Sequence, residues 1–405
     1  MANNTFEFIG KIVPCKETEK FRPYEERQFE KGGWGKKTLK FNVQCGNNRN
    51  LVEVSAMTNT DESKMNVYTF TKNTVDENGV SHKGESIVVP FKDRFKTEIT
   101  DKLAEYKKFV LDTEVPGKRY KLKKALDMFK ENTITDEQMT EYGVHSYEEC
   151  EKALKDSKAK EHKFISAYDF VDCLHKFISN PKISDLTFKV TGTYEVDYNE
   201  NKDTWYTHYY VQRVYLQNSD TPTVSNATFD FVFGREAVDD TDYEETKKAK
   251  VVGYIPQYLS NYKKTCFYPF EFTLDGSKSE ADDKKAKFWM KKFEFPEVSD
   301  CDYREIGILC DVLNGSQEVE ITEDMLTDEQ RENLEYGLIT MDDIKAELGK
   351  PVYGDRVVAF VPEKLAKNFS KGAVDTSYTD KDFRKPNIID DDVDSVFDVD
   401  VDIDI

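Results

Sequence analysis

The chain of 405 residues carries 58 Lys+Arg against 78 Asp+Glu, a formal charge of −20, with 38% hydrophobic and 34% charged residues. This composition suits a globular protein of two or three domains at roughly 100–200 residues each, and no apolar run approaches the ~18 residues of a membrane span, so no membrane role is expected. The start Met1-Ala-Asn-Asn-Thr5 lacks the basic stretch and apolar core of a signal peptide, and the seven cysteines form no Cys-x-x-Cys pair. A cytoplasmic protein with reduced thiols is therefore expected.

Strands are expected first. Residues 6–13 are apolar and β-prone, and 38–45 alternates, with Leu39, Phe41, Val43 and Cys45 on one face and Lys40, Asn42 and Gln44 on the other, the period of a half-buried strand. Residues 46–50 form a turn cluster and 51–57 return as the second arm of a hairpin. Shorter β-prone runs follow at 67–71 and 86–91. From 97 to 112 the period changes, because Ile99, Leu103, Tyr106 and Val110 fall at the spacing of an amphipathic helix. Several short strands closed by a helix suggest a small barrel of the OB type. The densest basic run, 117–124, fits either a solvated helix start or a phosphate-contacting loop.

Two segments repeat each other. Residues 135–143 followed by 146–154 parallel 327–337 followed by 340–348, each a pair of short helices. Thr135 with Gln138 and Thr327 with Gln330 have capping-box spacing, and Gly143 and Gly337 can end the first helix of each pair. A DNA-reading helix-turn-helix is excluded by charge, since 134–154 holds six acids against one base and 322–348 nine against two. They are read as matched structural insertions in two related halves.

The second half opens with strands at 186–192 and 193–197, a turn, and a strand at 204–216. Further strands are expected at 227–234, 249–255, 266–274, 288–295, 304–313 and 356–361. The whole is mainly β (α+β): tandem OB-like small barrels with helical-pair insertions and a disordered acidic C-terminal tail. The expected divisions are 1–180, a first OB-like domain; 181–366, the second, with a further split near Asp240 as the alternative; 367–389, a flexible linker; and 390–405, the tail.

Catalytic signatures are missing. There is no phosphate-binding Gly-x₄-Gly-Lys-Ser/Thr loop, no dinucleotide Gly-x-Gly-x-x-Gly and no Gly-x-Ser-x-Gly elbow, and the five histidines show no zinc spacing. No enzyme activity, cofactor or metal is expected. Aromatic residues interleaved with bases are the stronger signal. Strand parity puts Trp34, Lys36 and Lys40 together, opposite the core face, with Arg49 at the hairpin tip. The interval 11–49 holds ten bases and five acids, and an exposed Trp beside lysines can stack a base while the ammonium groups neutralise phosphates. Trp205, Tyr209, Arg213 and Tyr215 share a second strand face by the same parity, unless that aromatic set packs inside a barrel. The interval 247–292, with eleven bases and five acids, is a third positive region.

The last sixteen residues hold eight Asp and no base. A calcium loop would need a Gly and a later Glu that are missing. Besides a plain solubilising tail, the pattern fits an interaction tail, with Phe397, Asp398, Asp400, Asp402, Asp404 and Ile405 presenting spaced charge and apolar anchors to a basic partner.

Together these features resemble phage-type and bacterial single-stranded DNA-binding proteins, across roughly the first sixty residues and the last sixteen. The resemblance implies an OB-fold with Trp34, Lys36, Lys40 and Arg49 as DNA contacts, cooperative and sequence-tolerant binding to replication or recombination intermediates, and a tail that recruits replication or recombination proteins and competes with DNA. For a phage-encoded member the location would be the host cytoplasm. The alternative is an assembly protein whose aromatics are all core, whose tail docks on a partner and which binds no nucleic acid.

Overall fold

Strand β1 (Thr5–Pro14) buries Phe6, Phe8, Ile9 and Ile12, and both of its edges are hydrogen-bonded. The computed structural model describes residues 4–29, 33–77, 79–296, 300–315, 326–336 and 357–386. After β1 come β2 (Tyr24–Gln28) and the long hairpin of β3 (Trp34–Cys45) and β4 (Asn48–Asn59). A small lobe follows: β5 (Asn66–Phe70), β6 (Thr74–Val75), β7 (Ser81–His82), β8 (Ser86–Pro90) and the single turn α1 (Thr97–Thr100). Then come β9 (Phe109–Asp112), the helices α2 (Lys118–Lys130), α3 (Asp136–Tyr142) and α4 (Tyr147–Ala159), and β10 (Glu161–Phe164). Helix α5 (Ala167–Ile178) leads into a second long hairpin, β11 (Thr187–Asn199) and β12 (Thr204–Leu216).

These strands form a ring. One edge of β1 pairs antiparallel with β11 and the C-terminal end of its other edge with β3. β3 pairs with β4, β11 with β12, and β12 runs parallel to β4 where Tyr210 lies beside Glu53. The order β1-β3-β4-β12-β11 thus returns to β1, with Phe8, Phe41, Val52 and Val190 inside. Helix α5 closes one end. Ser166 caps it by accepting from the Tyr168 amide at 3.2 Å, and Phe170, Val171, Leu174 and Ile178 fall on one stripe and are buried in the ring's core.

The rest of the chain repeats the order: β13 (Val224–Gly234), β14 (Val238–Asp239), α6 (Tyr243–Thr246), β15 (Lys248–Leu259), β16 (Lys264–Asp275), α7 (Glu280–Lys292), β17 (Tyr303–Gly315), α8 (Asp328–Glu335), β18 (Val357–Leu365) and β19 (Val374–Asp375). β13 pairs with β17 along its length and with β15 at Val232 and Tyr254. β15 pairs with β16, and β17 with β18. Among the described residues no backbone ladder joins β16 to β18; they lie side by side, with the Phe270 and Phe360 rings 4.7 Å apart. β13 also pairs with the N-terminal half of β1, so the two rings share one sheet and one core. A cut at residue 180 divides the sequence, but hydrogen bonding crosses it.

The molecule is mainly β, as the sequence predicts, and several local expectations change. The helix expected over 97–112 is instead α1, a short turn and β9, because Ala104 donates its amide to Phe70 and Leu103 pairs with Thr71, so the lobe draws the chain into extended form. The strand expected over 288–295 is helix α7, started by Ser279, whose hydroxyl accepts from the Asp282 amide at 3.2 Å. The basic run after Gly117 forms the first two turns of α2, where Arg119 is held by Asp112 at 2.6 and 2.7 Å.

The capping boxes at Thr135–Gln138 and Thr327–Gln330 form as read. The two insertions are not matched in place, however. α3 and α4 precede α5, packing with α2 around their own core of Leu122, Ala125, Val144, Cys150 and Leu154, whereas α8 falls between β17 and β18. Residues 340–348 lie outside the described residues. Residues 367–386, expected as linker, are packed: β19 pairs with β17, and Phe383 sits against Tyr254, Phe267 and Tyr303. Aromatic anchors spaced too irregularly to show a period hold this stretch. No helix among the described residues is long and apolar enough to cross a membrane.

Candidate nucleic-acid interface

Because Leu39, Phe41 and Val43 fill the first ring, the even-numbered residues of β3 face outward. Trp34, Lys36 and Lys40 therefore share an outer face, as the sequence reading has them. Trp34 stands where β3 leaves Gly33, whose φ of +64° turns the chain, and 46% of its surface is exposed. Opposite Lys36 lie Met57 of β4 and Arg27 of β2, two residues missed by sequence reasoning. Met57 is exposed, and Phe29 at the end of β2 is partly so. A narrow cleft of about 110 Å³ separates Arg27, Gly35 and Lys36 from Met65 and Phe91 of the lobe.

The lysines of β3 have different fates. Lys37 points inward, with Nζ 2.7 Å from Asp172 of α5 and 3.8 Å from the centre of the Tyr168 ring, and so fastens the helix to the sheet. Lys40 is paired with Glu53 at 3.3 Å. Glu53 is buried and also lies 3.1 Å from His208 Nδ1. Burial alone would raise its carboxyl, but the hydrogen bonds and charges of His208 and Lys40 outweigh burial and hold it below the usual value. Lys40 is thus largely neutralised, whereas Lys36 has no ion-pair partner among the described residues. Arg49 shares the outer face but lies opposite Gln44, ten residues along β3 from Trp34, which is roughly 33 Å at ~3.3 Å per residue. It does not join the Trp34 group.

The four residues expected on one face of β12 do not share it. Thr191 pairs with Arg213 and Gly192 with Val211, leaving Gln212 as an extra residue in a bulge that reverses the alternation. Gly192 permits this, because a Cβ there would lie 1.8 Å from the Tyr210 carbonyl oxygen. Before the bulge, Trp205 and Tyr209 face inward. Tyr209 packs edge-on against Phe6, Phe8 and Tyr194, its buried hydroxyl has no hydrogen-bond partner among the described residues, and burial pushes its phenol far up. Trp205 packs against Tyr198 and Tyr268. Both are partly buried and packed against the core, which corrects their placement with Arg213 and Tyr215 as a stacking set and follows the alternative that this aromatic pair packs inside.

After the bulge, Arg213 and Tyr215 lie on the outer side, where Arg213 donates to the Glu105 carbonyl at 3.0 Å and Tyr215 sits beside Asp112. The outer face of β12 is instead carried by Tyr206, His208 and Tyr210, with Glu195 and Asp197 of β11 opposite His208 and Tyr206. That end is acid-flanked; the Trp34 end is the better place for a phosphate. The tail residues Phe397, Asp398, Asp400, Asp402, Asp404 and Ile405 lie outside the described residues. Among those described, no group of three or more His, Cys, Asp or Glu side chains is placed to hold a metal ion.

No family model and no curated protein matches this chain. Among solved structures, it is similar to a deletion mutant of the single-stranded DNA-binding protein from Thermus aquaticus, with 8% identity and a TM-score of 0.28 over 77% of this chain and 87% of that one.

Proposed function

We propose that the protein is a non-enzymatic binder of single-stranded DNA, sequence-tolerant, which uses an OB-type barrel made of β1, β3, β4, β11 and β12. The support is topological: a five-strand ring, a parallel closure between its third and fifth strands, and a helix after the third that caps the core. In such barrels the face of the second and third strands receives oligonucleotides. Those strands are β3 and β4 here. The observation that carries the reading is Trp34, an exposed indole on that face with Lys36 and Arg27 beside it. On this reading the Asp-rich tail recruits replication or recombination proteins.

Stacking on an aromatic is worth about 1–3 kcal/mol per base, so Trp34→Ala should weaken oligo-dT binding by roughly 5- to 150-fold. Quenching of Trp emission on titration should vanish in the same variant, since Trp289 is 2% exposed and Trp205 is packed among tyrosines. Binding should also fall by about 0.7 log units per tenfold salt for each phosphate neutralised. A parent protein with no salt-sensitive oligo-dT binding would sink the proposal and favour the assembly reading, to which the exposed Tyr68–Val88 pair on the lobe hairpin would then belong.

A further inference from the structure

In the second ring β15 and β16 hold the positions that β3 and β4 hold in the first. Their outer face carries Lys250, Tyr254 and Tyr258 on β15 and Phe267 on β16, inside the basic interval that the first ring's site leaves unused. Unlike the face around Trp34, this one is covered. Residues 374–386 cross it, and the Phe383 ring lies 4.4 Å from Tyr254, 4.6 Å from Phe267 and 4.2 Å from Tyr303, with Tyr378 4.9 Å from Phe267. A base cannot stack on Tyr254 or Phe267 while Phe383 occupies that space.

We propose that this face is a second site for single-stranded nucleic acid, held shut by residues 374–386; this rests on the function proposed for the first ring. The cover is anchored at its start, where β19 pairs two residues, Thr376 donates to the Tyr303 carbonyl at 2.7 Å and the mostly buried Arg304 donates to the Ala373 carbonyl at 2.8 Å and to Asp375 at 2.9 Å; further along, Tyr303 donates to Asp380 at 2.7 Å, and the Lys385–Asp203 pair is exposed and so contributes little. Phe383 is the main wedge. Beside it an open cleft of about 750 Å³ runs past Tyr254, Tyr303 and Asp380, which gives an incoming strand a place to start. The cover holds three acids, Asp375, Asp380 and Asp382, and three bases, Lys381, Arg384 and Lys385, so lifting it frees the aromatic surface without changing the net charge of the face; of the acids that stay, Glu271 is met by Lys250 at 3.3 Å, and Glu236 and Asp302 line the cleft.

The test uses the full chain. Phe383→Ala should bind long oligo-dT about tenfold more tightly than the parent, in keeping with the gain of a stacked base, and should occlude more nucleotides per protein. Adding Tyr254→Ala to that variant should return both quantities toward the parent. In the unmodified protein, saturating oligo-dT should speed amide hydrogen exchange across 374–386, a readout that does not depend on any variant folding. If exchange there is unchanged or slowed while Trp34 is still quenched, the cover is a fixed part of the fold and the inference is overturned, with the first site standing. If neither protein binds and Trp34 emission does not respond, both readings fail together.

Discussion

In the first ring β12 runs beside β4 and completes the circuit where Tyr210 meets Glu53; in the second, β16 and β18 meet side chain to side chain through Phe270 and Phe360. The seam of the first is polar and outward, built from Lys40, Glu53 and His208. The second has a cavity of about 530 Å³ between β16, β18 and α7, floored by Leu274 and Trp289 and rimmed by Asp311, Glu363 and Lys285. One strand order therefore yields a closed ring with an open outer face and an incompletely laddered ring with a covered one. Strand order places the face; the residues at the seam and the segment that follows β18 decide whether it is available.

The largest blow to this comparison should come from Phe170→Ala. This residue is fully buried where α5 closes the first ring, and such truncations cost about 3–5 kcal/mol. Because one core runs through both rings, a urea melt should show a single shifted transition; two separate transitions would show that the rings fold independently.

Glu53→Gln probes the seam alone. Losing a charged acceptor of two hydrogen bonds should cost about 1.5 kcal/mol, and Lys40, no longer neutralised, should add a phosphate contact that steepens the salt slope of oligo-dT binding by about 0.7. An unchanged slope would mean that Lys40 lies off the path of the strand.

The smallest effect is expected at Asp311, the second ring's counterpart. Burial, and then the neighbouring Glu363 carboxylate, push its carboxyl up to about 6. An ordinary Asp titrates near 3.9, so between about pH 4 and 6 the folded state holds more protons than the unfolded one, and stability falls as pH rises through that window. Asp311→Asn should gain less than about 1 kcal/mol at pH 8, given solvent screening, and almost nothing at pH 4, as read by thermal melts.

Much of the framework was legible. Alternation around Leu39, Phe41 and Val43 placed β3 with its faces the right way out, and the spacing of Thr135 and Gln138 placed the start of α3. What escaped depended on contacts distant in sequence. Leu103 and Val110 have helical spacing, yet one pairs with the lobe and the other lies in β9 beside β12. Phe288 and Phe293 are β-prone residues, but the cap at Ser279 had already set a helix, a signal present in the sequence and passed over. At the candidate site, Trp34 and Lys36 were found because β3 is regular. Trp205 and Tyr209 were grouped with Arg213 and Tyr215 because a bulge of one residue, allowed by Gly192 on the opposite strand, cannot be seen in β12 itself. Lys40 was found but its neutralisation was not, since Glu53 and His208 lie on two other strands.

The position of β1 has a consequence for measurement. As a rung in both ladders, it leaves no tether between the rings to lengthen or recoil, unlike barrels joined by a flexible linker, whose reach grows with linker length. On the proposed function, a DNA strand engaging both platforms meets them at one fixed separation. The protein would then act as a ruler, its footprint changing in a single step when the second platform opens rather than stretching by degrees.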